Sequence, residues 1–505
     1  MQLEIMDTTL RDGEQTQGIS FSPKEKLNLS QFLLNELGVD RVEIASARVS
    51  EGEFHAAQII AQWADEKDLK EKVEVLGFVD NGESIRWIEA AGLKVINLLS
   101  KGSLRHLEKQ LRKSPEQHAA DIRKEVLMAN KKDFIVNLYL EDWSNGMISS
   151  PEYVMYMLEA LKDLPIQRFM LPDTLGILTP DKTYDFCKLI TNKFPDLHFD
   201  FHAHNDYDLA VANVISAVKS GVKGVHTTVN GLGERAGNAP LSSIIAVLHD
   251  HLNIKTGIKE KNINKAGKLV ERFSGIRIPE NKPVIGDNVF TQTSGIHADG
   301  DSKDNLYFND LMPERFGRKR KYALGKLSGK ASIKNNLEEL GFFLDEQSLK
   351  QVTKKIIELG DKKESITPDD LPYIIADVLD KEVENSVIRI VNYSLSLSDG
   401  MRPSASIKVE VEGELFEETA IGDGQYDAFM KALWKIYDKT GRTKPVLTDY
   451  KVTIPPGGKT DALVESRISW NFQGHLLTTR GLDVDQTVAA IKATGKMLNH
   501  IEYKK

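Results

Sequence analysis

The chain has 505 residues, of which 41% are hydrophobic and 28% are charged, an ordinary composition for a folded protein. Its 74 acidic and 66 basic side chains leave a formal net charge of −8, which argues against nucleic acid and anionic membranes as partners. No apolar run approaches the ~18 residues of a membrane span, and the amino terminus lacks the pattern of a signal peptide. The single cysteine, Cys187, excludes an intrachain disulfide. We therefore expect a cytoplasmic enzyme or binding protein.

Apolar segments of strand length alternate with amphipathic helical stretches through the first half of the chain. The eight segments span residues 3–6, 41–45, 73–79, 95–99, 135–140, 168–171, 198–204 and 224–229. Ser-Pro or Thr-Pro pairs at residues 22–23, 150–151 and 179–180 are typical helix starts. This alternation predicts a (β/α)8 TIM barrel at residues 1–255. A doubly wound open sheet is the alternative, but no G-x-G-x-x-G follows the first strand.

The strand rhythm stops after the barrel. Residues 256–384 are polar and helical, with glycine-rich joints, and predict linker subdomains that contribute to the active site. Residues 385–505 contain two similar segments, each with three strands followed by a helix. Each β-β-β-α unit leaves one sheet face to be covered, so the two units should pack as one α+β regulatory or dimerisation domain.

Polar side chains follow several of the predicted strands, and in a barrel the active site lies at these carboxyl ends. His202 and His204 are two residues apart on strand seven and therefore point to one face. Asp12 follows strand one and Asn238 follows strand eight, and these strands are neighbours in a closed barrel. Two imidazoles with a carboxylate suit Zn²⁺, Mn²⁺ or Co²⁺, and less readily Mg²⁺. A histidine pair without metal is the alternative interpretation.

Arg11 directly precedes the predicted ligand Asp12. Its fixed positive charge can stabilise an alkoxide or enolate that forms beside the metal. A structural ion pair with Glu43 or Glu234 is the plainer interpretation, and the two roles are compatible.

Three motifs together resemble a known family. D-T-T-L-R-D-G-E-Q at 7–15, H-A-H-N-D at 202–206 and G-L-G-E-R-A-G-N at 231–238 are similar to the acetyl-CoA-dependent 2-isopropylmalate, homocitrate and citramalate synthases. The resemblance extends over essentially the whole chain. It implies a metal-dependent acyltransferase that uses acetyl-CoA as co-substrate and converts the acyl group to alkyl on transfer.

The resemblance also implies roles for individual residues. The metal ligands match Asp12, His202, His204 and Asn238, and the arginine of the first motif matches Arg11. Glu141 on strand five matches a glutamate essential for catalysis. His297 and Tyr307 match residues that reach into the partner subunit's barrel, so a homodimer with shared active sites is expected. The base that deprotonates the acetyl methyl group stays open between Glu141 and His297.

The expected acceptor is pyruvate. Tyr139 lies two residues before Glu141 and fills the space that a small serine leaves in 2-isopropylmalate synthases. Leu76 and Leu99 are expected to close around a methyl group, and Thr174 completes the substrate-binding set. The stretches 137–146 and 201–213 also resemble the citramalate-forming members.

Other interpretations remain. One is 2-oxoisovalerate as acceptor, with Tyr139 and the two leucines as barrel packing. Others are a related metal-barrel lyase or carboxyltransferase, and a non-catalytic amino-acid sensor. The basic tract at 315–321 is interpreted as a solvated linker surface, with contact to CoA phosphates as the alternative.

The C-terminal domain is expected to bind isoleucine as a feedback effector, because citramalate leads to isoleucine by a threonine-independent route. Each repeat has an amide-rich helix start, and a helix N-terminus favours a carboxylate. The candidate effector-binding residues are Tyr426, Leu447, Tyr450, Ile454, Thr460, Val464 and Gln486. A domain core and dimer seam is the alternative interpretation of the same residues.

Overall fold

The computed structural model describes residues 3–294, 297, 300, 306–339, 343–361, 366, 371–378, 388–453 and 464–503. The chain divides into two compact units. The first unit comprises residues 1–291 and 308–320, and the second comprises residues 292–307 and 321–505. The bounds 1–255, 256–384 and 385–505 stay a prediction. Among the described residues, no helix is long and apolar enough to cross a membrane.

The first unit contains a closed barrel of eight parallel strands in sequence order, which confirms the TIM barrel and excludes the open sheet. Closure is made by pairing between the first and last strands, with Met6 opposite His226. The strands are β1 Glu4–Asp7, β2 Arg41–Ser46, β3 Val73–Phe78, β4 Val95–Lys101, β5 Ile135–Glu141, β6 Arg168–Asp173, β7 Phe199–Ala203 and β8 Gly224–Thr227. All eight predicted strands are present, and no end differs from the prediction by more than two residues.

Helices surround the barrel, and the main apolar core lies between the two layers. The α-helices are Pro23–Gln31, Glu51–Glu66, Glu83–Ala90, Leu104–His106, Pro115–Asn130, Trp143–Ser149, Pro151–Leu161, Pro180–Lys193, Ala210–Lys219, Leu241–Leu252 and Ile263–Ser274. Two of them continue as π-helices, Phe32–Leu37 and Leu107–Leu111. Short 3₁₀ helices are Gly13–Gln15, Lys70–Lys72, Val229–Gly231, Glu260–Asn262 and Pro313–Phe316.

The predicted helix starts are found, but their caps differ. Ser22 forms a full capping box with Glu25, and the Thr179 side chain accepts from the amide of Lys182. Ser150 precedes a helix as predicted, yet its side chain makes no cap. Its hydroxyl instead accepts from the amide of Leu104, in the connection that follows β4, at 3.3 Å. This serine therefore joins two barrel connections.

The second unit has two separate apolar cores. The smaller core belongs to the helices Lys330–Glu339, Glu346–Asp361 and Leu371–Val378. The larger core belongs to the two predicted repeats, which are confirmed as three-stranded antiparallel sheets, each followed by a helix. The first repeat consists of β11 Ile388–Ser396, β12 Ser404–Val411, β13 Glu414–Ile421 and the helix Gln425–Lys439. The second consists of β14 Val446–Thr453, β15 Val464–Phe472, β16 His475–Asp483 and the helix Gln486–Tyr503. Two short strands, β9 Thr291–Gln292 and β10 Lys321–Tyr322, form a separate two-stranded sheet.

Candidate active site and metal centre

The turn after β1 is tied to the turn after β8 by side-chain hydrogen bonds. The Asp7 carboxylate accepts from the amide of Thr9 at 2.9 Å, which bends the chain at the end of the strand. The Thr9 hydroxyl accepts from the amide of Val229 at 2.8 Å. Further along, the Thr16 hydroxyl accepts from the amide of Gly233 at 2.8 Å and donates to its carbonyl. The two turns that carry the predicted aspartate and asparagine ligands are thus held side by side.

A buried lysine supports the turn after β1. Lys26 is fully buried, and its ammonium lies 2.6 Å from the Glu14 carboxylate and 2.5 Å from the Glu53 carboxylate. It also donates to the carbonyls of Leu10 and Ile44. A buried ammonium needs all its donors satisfied. Because one of these hydrogen bonds goes to the Leu10 carbonyl, it fixes the position of Arg11 and Asp12, which directly follow Leu10.

Asp12, His202 and His204 converge as the sequence predicts. Each offers a ligand atom, and these atoms all lie within 4.8 Å of one another. The Asp12 Oδ2 atom is 3.3 Å from His202 Nε2 and 3.9 Å from His204 Nε2. Burial, together with the neighbouring His202, lowers the pKa of His204 to about 4. His204 is therefore neutral near pH 7, the form that coordinates a metal.

The Asp12 carboxylate is charged despite being buried. Burial alone would raise its pKa, but the positive charge of Arg11 and the contacts with the two histidines outweigh that effect and hold the pKa well below the usual range. The site therefore offers a permanent anion beside two imidazoles.

Asn238 joins this set through the backbone. Residues 204 and 238 form an isolated β-bridge, and the Asn238 Nδ2 atom donates to the Leu232 carbonyl at 3.2 Å. A Cβ atom on Gly233 would lie only 2.2 Å from that Nδ2 atom, so a glycine is required there. With its nitrogen engaged, the asparagine keeps its oxygen available.

The unsatisfied buried atoms fit a divalent cation. Asp12 Oδ1, Asn238 Oδ1 and the Nδ1 atoms of His202 and His204 have no hydrogen-bond partner, although all four residues are buried. Unpaired polar atoms in a buried cluster are costly, and a bound cation would relieve those that coordinate it, with one nitrogen from each imidazole. Two imidazoles, a carboxylate and an amide oxygen form a donor set suited to Zn²⁺, Mn²⁺ or Co²⁺.

Arg11 connects the cluster to the barrel interior. Its Nε atom donates to Glu43 at 2.6 Å, its Nη1 atom to Asp12 at 3.0 Å, and its Nη2 atom lies 3.5 Å from the Tyr139 hydroxyl. Burial alone would lower its pKa, but the Glu43 and Asp12 carboxylates raise it above the usual value. The predicted ion pair with Glu43 is present, and the guanidinium still faces the metal-ligand cluster.

The Tyr139 hydroxyl is fixed by a chain of buried groups. The Asp200 carboxylate is 2.5 Å from Arg41 and 3.1 Å from His226 Nε2. An ionised carboxylate only accepts, so His226 carries its proton on Nε2 and its Nδ1 accepts from the Tyr139 hydroxyl at 3.2 Å. This hydrogen bond therefore fixes the position of the Tyr139 ring.

The predicted pocket wall forms a distinct apolar cluster in the barrel. Leu76 and Tyr139 are buried there with Met6 and Met170, and Leu99 packs against them. Leu99 stands opposite Tyr139 in the β4–β5 pairing. Leu76, Leu99 and Tyr139, the three predicted acceptor-pocket residues, thus pack together. Tyr139 also brings this cluster beside Arg11.

Glu141 has a partner that the sequence reasoning missed. Lys101 stands opposite Glu141 in the β4–β5 pairing, and its ammonium makes an ion pair with that carboxylate. The Lys101 side chain is almost fully buried. Thr174, predicted to bind substrate, accepts from the amide of Asp142 at 2.9 Å, next to Glu141.

His297 and Tyr307 lie in the second unit. Their ring centroids are 4.2 Å apart, and the His297 Nδ1 atom is 3.2 Å from Gln292 Oε1. The two residues are therefore neighbours, and their role in an active site stays a prediction.

The predicted effector residues are only partly together. The rings of Tyr426 and Tyr450 are 5.5 Å apart, and the Tyr426 hydroxyl is 2.7 Å from Thr494 Oγ1. Val464 is buried, Leu447 is exposed, and Gln486 is the exposed first residue of its helix, whereas Ile454 and Thr460 lie outside the described residues.

The two helix starts of the repeats differ. The Asp485 carboxylate accepts from the amides of Thr487 and Val488 at 2.7 and 2.9 Å, so that start is already capped by an anion. The start at Gly424 has no side-chain cap. Both starts were predicted to be rich in amides, and two amides of the second start already donate to Asp485.

Lys26, Lys101, Asp200 and His226 were not among the predicted site residues. Lys101 had a usable signal, since it lies two residues after Leu99 and therefore points to the same face of its strand. His226 had a comparable signal, because it lies within the predicted barrel strand at 224–229. The other two become meaningful only through contacts between distant elements.

Three family models match the chain in succession. The model described as HMGL-like matches residues 2–270, the homocitrate synthase post-HMGL domain-like model matches 284–364, and the LeuA allosteric (dimerisation) domain model matches 365–502.

Full-length relatives agree with this layout. A putative (R)-citramalate synthase CimA from Methanopyrus kandleri is 33% identical over 100% of this chain and 97% of its own length. The (R)-citramalate synthase CimA of Methanocaldococcus jannaschii is 32% identical over 99% of both chains. A probable 2-isopropylmalate synthase of Methanopyrus kandleri is 32% identical over 99% of this chain and 98% of its own length. The chain therefore belongs to the HMGL-like family, in the group that contains the citramalate and 2-isopropylmalate synthases.

Proposed function

We propose that the protein is an (R)-citramalate synthase, which condenses acetyl-CoA with pyruvate and hydrolyses the thioester. The observation that carries the proposal is the position of Tyr139. Its ring packs with Leu76 and Leu99, and its hydroxyl lies 3.5 Å from Arg11. With a bulky ring and two leucines beside a fixed cation, this part of the barrel suits a methyl group better than a branched side chain.

The chemistry follows from the residues around the pocket. Asp12, His202, His204 and Asn238 would hold a divalent cation, which would supply Lewis acidity to the keto group of the 2-oxo acid. Arg11 stabilises the negative charge that develops on the keto oxygen when the new carbon–carbon bond forms. A base takes the proton from the acetyl methyl group, and water then cleaves the thioester to release CoA and a carboxylate.

The base that deprotonates the acetyl methyl group is Glu141 or His297, the two candidates from the sequence. Glu141 lies on β5 two residues beyond Tyr139, and its pairing with Lys101 orients the carboxylate. His297 has Tyr307 against its ring. Both side chains have the chemistry of a general base.

The assay that tests the proposal measures thiol release from acetyl-CoA with a panel of 2-oxo acids. We expect release with pyruvate and little with 2-oxoisovalerate or 2-oxoglutarate. Release with 2-oxoisovalerate instead would favour 2-isopropylmalate synthase, the second candidate, which relatives at 32% identity support. No release with any acceptor, by metal-loaded protein, would contradict a synthase.

We further propose a homodimer in which His297 and Tyr307 act in the partner's active site. The match to the LeuA allosteric (dimerisation) domain supports a dimer. Mixing inactive Glu141→Ala with inactive His297→Ala subunits should restore activity, because one of the two sites in each mixed dimer is then intact. Each variant mixed with itself is the control, and no recovery after verified subunit exchange would argue against sharing.

Isoleucine is proposed as the effector of the C-terminal domain. The Tyr426–Tyr450 ring pair next to the uncapped helix start at Gly424 supports a site for an apolar amino acid. An α-carboxylate is favoured by free amides at a helix N-terminus.

We expect isoleucine to bind the full-length protein and inhibit it, and truncation after about residue 380 to abolish that inhibition. Calorimetry with isoleucine, leucine and valine on the full chain measures binding and its selectivity. Absence of binding heat at millimolar concentrations of all three would leave the domain with dimerisation as its role.

A further inference from the structure

The connection between β4 and the helix Pro115–Asn130 has two contrasting faces. Leu104, Leu107 and Leu111 pack against the core of the first unit. Arg105 in the helix Leu104–His106, Lys109 in the π-helix Leu107–Leu111 and Arg112, which ends that π-helix in the left-handed conformation, are all exposed. We call these three residues the cationic stripe.

The cationic stripe is not paired with any acid among the described residues. Throughout the described residues, none of its three side chains makes an ion pair or a side-chain hydrogen bond. The neighbouring Lys113, in contrast, is paired with Asp121 at 2.6 Å. Glu108, the single acid of the connection, is exposed and is not paired with the stripe.

The other connections at this end of the barrel are different. Residues 3–294 are fully described, and within them the remaining strand-to-helix connections contain only three arginines. Each is paired: Arg11 with Glu43 at 2.6 Å, Arg48 with Asp80 at 3.0 Å, and Arg235 with Asp206 at 2.8 Å. The chain has a net charge of −8, and the unpaired arginine and lysine side chains of its eight strand-to-helix connections are those of the stripe.

The stripe begins next to the candidate active site. The Ser103 hydroxyl donates to the Asp142 carboxylate at 2.7 Å, and the Leu104 amide donates to Ser150 at 3.3 Å. Asp142 directly follows Glu141, and Lys101, two residues before Ser103, pairs with Glu141. When a ligand reacts beside Glu141, a long anionic tail on that ligand can therefore reach the stripe.

We propose that the cationic stripe binds the phosphate groups of the CoA nucleotide. This inference rests on the proposed function, since it assigns the tail of the acyl-thioester substrate. Guanidinium groups contact phosphate oxygens in a bidentate manner, and an ammonium adds a point charge. The basic tract at 315–321 fits this role less well, because Arg315 is engaged by Asp250 and Glu260, and Arg318 by the Gly286 carbonyl.

The test compares the wild type with Arg105→Gln/Lys109→Gln/Arg112→Gln. We expect the KM for acetyl-CoA to rise roughly 3- to 30-fold, as three exposed ionic contacts would give, while the KM for pyruvate stays unchanged. With acetyl-pantetheine, which lacks the nucleotide, the two proteins should have the same KM. The matched control is Lys67→Gln/Lys94→Gln/Lys131→Gln, which removes three exposed cations from the opposite end of the barrel and should leave all three values unchanged.

Calorimetric titration with CoA separates this inference from the proposed function. Weaker CoA binding by the stripe variant, but not by the control, supports the stripe even if no 2-oxo acid is a substrate. An unchanged KM for acetyl-CoA with unchanged CoA affinity would overturn the inference and leave the proposed function intact. An equal rise of the KM for acetyl-pantetheine would also overturn it, because the loss would then not concern the nucleotide.

Discussion

Asp12→Asn and His204→Ala are each expected to lose the bound divalent cation and turnover, while the barrel stays folded. The ligand atoms of Asp12, His202 and His204 lie within 4.8 Å of one another, so removing one breaks the set. Loss of a supporting hydrogen bond alone typically lowers metal affinity by about 10- to 100-fold, and loss of a ligand should exceed that range. Metal content after dialysis and circular dichroism measure the two parts of the prediction.

The control for this prediction is Asp206→Asn. Asp206 is an acid in the connection after β7, but it pairs with Arg235 at 2.8 Å and does not belong to the ligand cluster. The Asp206→Asn variant should therefore keep the bound cation. Metal content close to that of the wild type in both the Asp12 and the His204 variants would refute the assignment of these ligands.

Tyr139→Ser is expected to shift acceptor selectivity towards 2-oxoisovalerate. The substitution removes the ring that packs with Leu76, and the freed space suits an isopropyl group. Discrimination by one methylene group is worth only about 1–3 kcal/mol, so the ratio of kcat/KM values should change roughly 10- to 200-fold. The measurement is steady-state kinetics with both acceptors.

Tyr139→Phe is the matched variant for the selectivity prediction. It keeps the ring but removes the hydroxyl that contacts His226 at 3.2 Å. We expect it to retain the preference for pyruvate, because the pocket volume is preserved. An unchanged selectivity ratio in Tyr139→Ser would show that this side chain does not limit the acceptor.

Local patterns were sufficient for the fold class and for the convergence of Asp12, His202 and His204. Strand and helix periodicity depends on neighbouring residues, so the eight barrel strands and the two β-β-β-α repeats could be read from the chain. The spacing of His202 and His204 places both on one strand face for the same reason. Asp12 and Asn238 followed from the closure of the barrel, which makes β1 and β8 neighbours.

Tertiary structure alone decided the contacts that support these residues. The pairing of Lys101 with Glu141 depends on the register between β4 and β5, and the chain from Asp200 through His226 to Tyr139 crosses the barrel interior. Lys26 becomes a support only because its helix packs beneath the turn after β1. Such contacts join residues far apart in sequence, and side-chain packing and desolvation of charge select them, so no local pattern specifies them.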